Sequence, residues 1–352
     1  MSCYHPLLAS VDVDDCGKKH LHFLPSKYSP DLLKYQVDTD LEISKRLEDG
    51  SFCKTKIPYQ NLMKIPCGKC IGCKFDYTKQ WADRMIMELS DNDCKGIFVT
   101  LTYNNDHVPF AVDEDGLPVS LSLQKRDFQL FMKRLRKRFS NKNIRFFACG
   151  EYGGRTLRPH YHAIIYGLSL SDFPDLSVHG MNELNQLYFI SPLLADIWLN
   201  GFILLSDVSY KTCAYVARYN VKKAYGDNIK PHELAEDSFV LMSRRPGIAS
   251  RYYDSHFDFF DTMSAYFSDS NGSVHVSCPS YFLNKLKVDK PDFYAKLVRE
   301  RRQLSKDREL LRLARSDLSY PEQLEIEEND VLKRTKSILF ERRELSHDET
   351  SN

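Results

Sequence analysis

Three groups of side chains in this sequence could do chemistry. The first is Pro66-Cys67-Gly-Lys-Cys70-Ile-Gly-Cys73, with cysteines at two successive three-residue steps. Ten cysteines in 352 residues would produce such a triplet about 0.01 times by chance. Thiolates at this spacing wrap a tetrahedral ion, most often zinc. The run supplies three ligands. Cys3, His5 and Cys53 are candidates for the fourth, and Cys3 is the expected one. An iron–sulfur site also uses closely spaced cysteines, but Tyr77 stands where a bacterial ferredoxin run would place its next one. Three buried thiols without a metal are the plain alternative.

The second group is His160-Tyr161-His162. Side chains of a strand alternate between faces, so residues two apart point the same way and two imidazoles can share one ion. Eleven histidines give about 0.3 such pairs by chance, and the chain holds two. The other, His20-Leu21-His22, follows Asp12, Asp14 and Asp15 but runs into Pro25 with no long strand. Glu151, nine residues before His160, ends the preceding apolar segment. If those segments pair, its carboxylate lies beside the imidazoles. A Glu/His/His set suits Mg²⁺, Mn²⁺ or Zn²⁺ better than soft metals. Arg155 and Arg158 flank it and are available for phosphate. Packed histidines are the competing reading.

The third group is Tyr215-Val-Ala-Arg218-Tyr219-Asn-Val-Lys222-Lys223. On a helix, Ala214, Ala217, Val221 and Ala224 make one apolar stripe. Tyr215, Tyr219 and Lys222 make another, roughly a third of a turn away. The hydroxyls and the ammonium then converge as two nucleophiles beside a phosphate-binding lysine, with Arg218 and Lys223 as further DNA-binding cations. The alternative is a pair of half-buried tyrosines flanking a core helix.

The elements that must position these groups can be read from periodicity. Gly96–Tyr103 is a β-branched and aromatic strand that stops at Asn104-Asn105-Asp106. Segments 144–151 and 160–167 are strands joined by a short Gly153-Gly154 loop, most simply an antiparallel pair. Phe202–Leu205 is a further strand. Helices are expected at 75–89, 123–138, 191–199 and 211–225. The 123–138 helix turns Phe128, Phe131, Met132 and Leu135 inward. Its other face is basic: Gln124–Arg145 carries nine Lys/Arg and one Asp, a local net of +8. Before residue 60, turn signals such as Pro25, Pro30 and Asp49-Gly50 suggest irregular structure with a strand or two. After Tyr252, aromatic segments lead into a charged helical tail. Interspersed helices and antiparallel strands give an α+β fold. The expected regions are 1–94 (cysteine cluster and helix), 95–250 (core) and 251–352 (mostly helical).

Composition narrows the class. With 42% hydrophobic and 28% charged residues, this is a folded chain, not a disordered one. Ten cysteines are too few for a disulfide scaffold, so reduced thiols are expected. The apolar stretch Tyr188–Leu205 is broken by Ser191, Asp196, Asn200 and Gly201 and is not a membrane span. Met1–Pro6 has no signal-peptide pattern, which points to the cytoplasm. There is no Gly-x-x-x-x-Gly-Lys-Ser/Thr loop, so the chain is not expected to unwind DNA itself.

Taken together, the strand Phe98–Tyr103, then His160-Tyr161-His162, then the Tyr215/Tyr219 helix resemble in order the three motifs of the HUH endonucleases. More closely, Pro66–Cys73, Trp81-Ala-Asp-Arg84, Gly150-Glu-Tyr-Gly153, Arg158-Pro-His-Tyr-His162 and Tyr215-Val-Ala-Arg-Tyr219 look like those of the gokushovirus replication initiators, from small single-stranded DNA phages of the Microviridae. The resemblance covers residues 60–250. It implies a central antiparallel sheet flanked by helices. It also implies one Mg²⁺ or Mn²⁺ on His160, His162 and Glu151, and rolling-circle nicking of origin DNA by Tyr215 and Tyr219 through a 5′-phosphotyrosine. Lys222 would sit on the scissile phosphate, with Lys223 its rival. The implied setting is the host bacterial cytoplasm, with single-stranded or supercoiled phage origin DNA and a host helicase and polymerase as partners. A transposase or relaxase using the same chemistry is the nearest alternative, and a non-catalytic zinc-containing nucleic-acid-binding protein the more distant one.

Overall fold

The structure is a computed structural model. It describes residues 3–13, 19–24, 40–46, 50–58, 62–154, 156–181, 187–224, 230–269 and 272–345. In chain order come β1 (Leu7–Val13), β2 (Lys19–Phe23), β3 (Asp40–Arg46), β4 (Phe52–Pro58), β5 (Leu62–Ile65) and α1 (Ile71–Ser90). Then follow β6 (Gly96–Tyr103), β7 (Phe110–Val112), β8 (Pro118–Leu121), α2 (Lys125–Arg138), β9 (Arg145–Tyr152) and β10 (Pro159–Tyr166). Next are β11 (Ser177–Met181), β12 (Leu187–Ile190), α3 (Pro192–Trp198), β13 (Gly201–Asp207), α4 (Tyr210–Ala224) and β14 (Phe239–Met242). Last come α5 (Ser250–Ser255), α6 (Phe259–Thr262), β15 (Ser264–Asp269), β16 (Gly272–Ser277), α7 (Ser280–Asp289), α8 (Pro291–Ala314) and α9 (Tyr320–Leu345). The fold is α+β, as expected. Two compact units divide it: residues 77–291, and residues 1–76 with 292–352.

Residues 77–291 are built on a seven-stranded sheet of order β11-β12-β13-β6-β10-β9-β14. Every neighbouring pair is antiparallel. Alternation assigns its two faces. Val99, Leu101, Tyr161, Ala163, Ile203 and Leu205 line one face and are buried. α2 lies over that face with Phe128, Phe131, Met132 and Leu135 inward, at the spacing that an amphipathic helix demands. Arg134, from the outer side of α2, donates to the carbonyls of Ile197 and Trp198 at 2.6 and 2.8 Å. It thereby satisfies the end of α3, whose last carbonyls have no partner within the helix.

The opposite face carries Phe98, Phe147, Ile164 and Tyr166, all buried. Trp81 of α1 packs on Phe147, with ring centroids 5.2 Å apart. Glu88 of α1 forms a buried ion pair with Arg145 and accepts from the Ala249 amide at 2.6 Å. α4 packs across β9, β10 and β14. Cys213, Val216 and Ala217 are its fully buried residues, whereas periodicity pointed to Ala214 and Ala217. The buried stripe is rotated by about one residue because small side chains leave a helix's facing weakly specified. Beyond β14, Tyr252, Tyr253, Phe259, Phe260 and Phe282 form an aromatic cluster around α5–α7.

The other unit contains a β2-β1-β5 sheet, a β3-β4 hairpin and the tail helices α8 and α9. Lys64 pairs with Glu309 and lies 3.6 Å above the Tyr320 ring. Four strands thus precede residue 60, where the sequence suggested one or two. They are short and polar, and β4 alternates lysines with small residues, so no local apolar pattern announces them. The charged tail is helical, as expected. Among the described residues, no helix is long and apolar enough to cross a membrane.

Candidate active site and cysteine cluster

Register brings the Glu/His/His group together. β9 and β10 pair so that Glu151 lies directly opposite His160, and Cys149 opposite His162. On the other side of β10, Thr102 faces His160 and Thr100 faces His162. Cross-strand partners share a face, so all six side chains project from the face that carries α4. One oxygen of Glu151 lies 3.1 Å from His160 Nε2 and 3.1 Å from His162 Nε2.

The far side of each ring is also occupied. His160 Nδ1 lies 3.1 Å from the Arg158 carbonyl, which can only accept, so Nδ1 carries the proton. His162 Nδ1 lies 3.0 Å from the Thr100 hydroxyl. A ring whose Nδ1–H is donated presents its Nε2 lone pair for ligation. Two such lone pairs and a carboxylate oxygen converging at 3.1 Å repel one another unless a proton or a metal ion lies between them. Burial opposes the charge on Glu151, but the two histidines outweigh it and hold its pKa at about 2. The donor set therefore fits a divalent cation bound by three protein ligands, with coordination positions left for substrate.

α4 brings a phenol to the same point. The Tyr215 hydroxyl lies 3.2 Å from His162 Nε2. The Phe98 ring holds both partners: it stacks on His162 with centroids 5.7 Å apart and meets Tyr215 edge-on at 6.2 Å. Arg218, three residues further along α4, places its guanidinium 5.2 Å from the Tyr215 ring centroid. Tyr219, Lys222 and Lys223 belong to α4, but their side chains lie outside the described residues. Arg155 also lies outside them. Arg158 turns its Nε and Nη2 donors to the Tyr103 carbonyl at 3.1 and 2.8 Å, which anchors its charge at the end of β6. Sequence reading did not pick out Phe98 and Thr100 as site residues. Their signal was the alternation of β6, which puts both on the histidine face once the β6–β10 register is known.

The cysteines assemble as well. Cys3 joins Cys67, Cys70 and Cys73, and the four sulfurs lie within 4.8 Å of one another. Cys3 and Cys70 sulfurs are 3.9 Å apart, and those of Cys67 and Cys73 are 4.0 Å apart. Zn–S bonds of about 2.3 Å in a tetrahedron give edges of about 3.8 Å, so the spacing fits one zinc and not a disulfide. Backbone amides point at the sulfurs: Cys67 N at Cys3 (3.2 Å), Cys70 N at Cys67 (3.3 Å) and Tyr4 N at Cys70 (3.4 Å). Burial also opposes ionisation of Cys70, but such amides outweigh it and lower its pKa to about 7, whereas burial pushes Cys3 up to about 11. His5 instead pairs with Glu328 at 2.6 Å, and the Cys53 side chain lies outside the described residues. The His20/His22 strand pairs with β1, placing His22 opposite Ser10. The side chains of His20 and Asp12, and residues Asp14 and Asp15, are outside the described residues. Among the described residues, the Cys3/67/70/73 and Glu151/His160/His162 groups are the two that could hold a metal.

Residues 96–224 match the family model for replication-associated proteins of the ORF2 type, a span that contains Glu151, His160, His162, Tyr215 and Tyr219. The replication-associated protein ORF2 of Spiroplasma virus 4 is 29% identical over 279 residues, covering 77% of this chain and 84% of the relative. The replication-associated protein VP4 of Bdellovibrio phage phiMH2K is 30% identical over 236 residues, covering 65% of this chain and 69% of the relative. The replication-associated protein ORF4 of Chlamydia phage 1 is 25% identical over 233 residues, covering 62% and 56%. No solved structure matches the chain.

Proposed function

The chain belongs to the family of phage replication-associated proteins, and from that membership we propose that it initiates rolling-circle replication by nicking and rejoining origin DNA through Tyr215 and Tyr219. The observation that carries the reading is the Tyr215 hydroxyl, 3.2 Å from a histidine nitrogen of a three-ligand site.

A divalent ion such as Mg²⁺ or Mn²⁺, held by Glu151, His160 and His162, would supply Lewis-acid polarisation of a non-bridging phosphate oxygen. The chain's own groups do the rest. Tyr215 Oη attacks phosphorus in line, an O–P bond forms, and the bond from phosphorus to the 3′ oxygen breaks. The phenol proton is lost to solvent and the departing oxygen takes one up, leaving a 3′-OH primer and a 5′-phosphotyrosine. The ester retains the energy of the phosphodiester, so the strand can be resealed without a nucleotide cofactor. Rejoining after a full circle needs a second cleavage while the first tyrosine is esterified, and Tyr219, one turn along α4, is the candidate. Arg218, Lys222 and Lys223 would neutralise phosphate charge, as would Arg155 and Arg158. Residues 95–250 would form the nicking core, acting in the host bacterial cytoplasm with a host helicase and polymerase. The cysteine cluster would hold one structural zinc.

Incubation with supercoiled cognate phage DNA and Mn²⁺ should give open circles. Peptide mapping should find the 5′ end on Tyr215 or Tyr219. An adduct on any other residue, or no cleavage of the cognate origin, overturns the assignment.

A further inference from the structure

One row of the sheet runs from the candidate active site onto open surface. Glu151 pairs with His160, His160 with Thr102, and Thr102 with Phe202, across four adjacent strands. Directly paired residues share a face, so Phe202 stands on the same face as the three candidate ligands. Strands are spaced about 4.8 Å apart, which puts Phe202 about 10 Å from His160. That is within reach of a nucleotide neighbouring one whose phosphate lies on the histidines. Exposure climbs along the row, from 8% for the Glu151 side chain and 20% for that of His160 to 69% at Phe202.

Isolated exposed apolar residues are ordinary. Phe202 differs in its placement. β13 is an inner strand, between β6 and β12, and lower on the same face the side chains of Phe98, Ile164, Tyr166 and Ser206 are buried. The covering ends above them, and there the face presents Phe202 and, opposite Leu204 by the β12–β13 register, Ile190 at 37% exposure. The backbone beside Phe202 is also tightly held. At Gly201, φ is +149°, and a Cβ would come within 2.3 Å of the Asn104 amide nitrogen and 2.5 Å of the Thr102 carbonyl. Positive charge stands at the same end of the sheet: Arg158 is fastened to the carbonyl of Tyr103, which pairs with Gly201. A ring fixed on a rigid strand, continuous with a candidate phosphate-binding site and rimmed by a guanidinium, has the chemistry that unpaired bases use.

We propose that Phe202 is a stacking platform for one unpaired base of the DNA strand whose phosphate lies at the Glu151/His160/His162 site. The assignment rests on the nicking reading, and it makes Phe202 a positioning residue for single-stranded substrate. The test is binding of the full chain to a short oligo-dT strand and to an abasic strand of the same length, which keeps the phosphates and removes the bases. The wild-type protein should prefer oligo-dT. Phe202→Ala should weaken oligo-dT binding about ten-fold and leave the abasic strand unchanged. Phe202→Trp should restore the preference, and its added fluorescence should be quenched by oligo-dT and not by the abasic strand. Equal losses on both strands, no loss on either, or a wild-type protein indifferent to bases each overturn the proposal. Origin nicking by the wild-type protein, measured alongside, is a separate readout. If it persists when the base preference is absent, only the Phe202 assignment falls; if it is absent while the base preference holds, the nicking reading fails instead.

Discussion

The two metal-capable groups differ in three physical respects. Glu151, His160 and His162 offer three hard or borderline donors, one phenol within 3.2 Å of a ligand nitrogen, and a hydrogen-bond partner behind each ring. Cys3, Cys67, Cys70 and Cys73 offer four soft donors at tetrahedral spacing, with backbone amides aimed at the sulfurs. Three ligands leave coordination positions for a substrate, whereas four thiolates close the sphere. A single chain thus separates a site suited to exchange ligands from one suited to hold an ion permanently.

That contrast can be broken most directly at the nucleophiles. The double change Tyr215→Phe with Tyr219→Phe should abolish covalent adduct on a single-stranded origin oligonucleotide, while each single change should leave some. Denaturing gel shift of labelled DNA reads this, and full adduct in the double variant would remove the tyrosines from the chemistry. The next largest effect is His162→Ala. Losing Lewis-acid stabilisation of several kcal/mol should cut nicking on the order of a thousand-fold. Most DNA affinity should survive, because Lys and Arg contacts to phosphate supply the non-specific part. The same change at His22 should leave nicking intact, and the reverse result would relocate the site.

A smaller effect sharpens the ligand argument. Thr100→Val keeps shape and removes the hydroxyl on His162 Nδ1. Loss of such a partner typically costs about 10- to 100-fold in metal affinity or activity, so nicking should require correspondingly more Mn²⁺. An unchanged Mn²⁺ titration would make the hydroxyl incidental. The smallest effect on cleavage is expected at the cysteines. Cys70→Ser should eliminate bound zinc, measured by elemental analysis, and lower the melting temperature, with nicking per folded molecule within a few-fold of wild type. Correspondingly, a brief chelator pulse should stop nicking and be reversed by Mn²⁺ while the zinc stays bound. Wild-type protein containing neither zinc nor iron would erase the contrast.

The sequence carried the local parts of this protein. The C-x-x-C-x-x-C spacing marked Cys67, Cys70 and Cys73 because one short loop must wrap one ion. The i, i+2 spacing placed His160 and His162 on one face because strands alternate. The spacing of Phe128, Phe131, Met132 and Leu135 oriented α2 because a helix repeats every 3.6 residues. Tertiary structure decided whatever depended on register and long-range pairing. It set Glu151 opposite His160, put Thr100 behind His162, turned Cys213, Val216 and Ala217 inward so that Tyr215 reached His162, and brought Cys3 to a cluster 64 residues away. It also paired the short polar strands β1 to β4. The reason is that strand pairing is a relation between segments: one residue of slip would move every side chain to the other face, and nothing within either segment alone records which partner, or which register, it will meet.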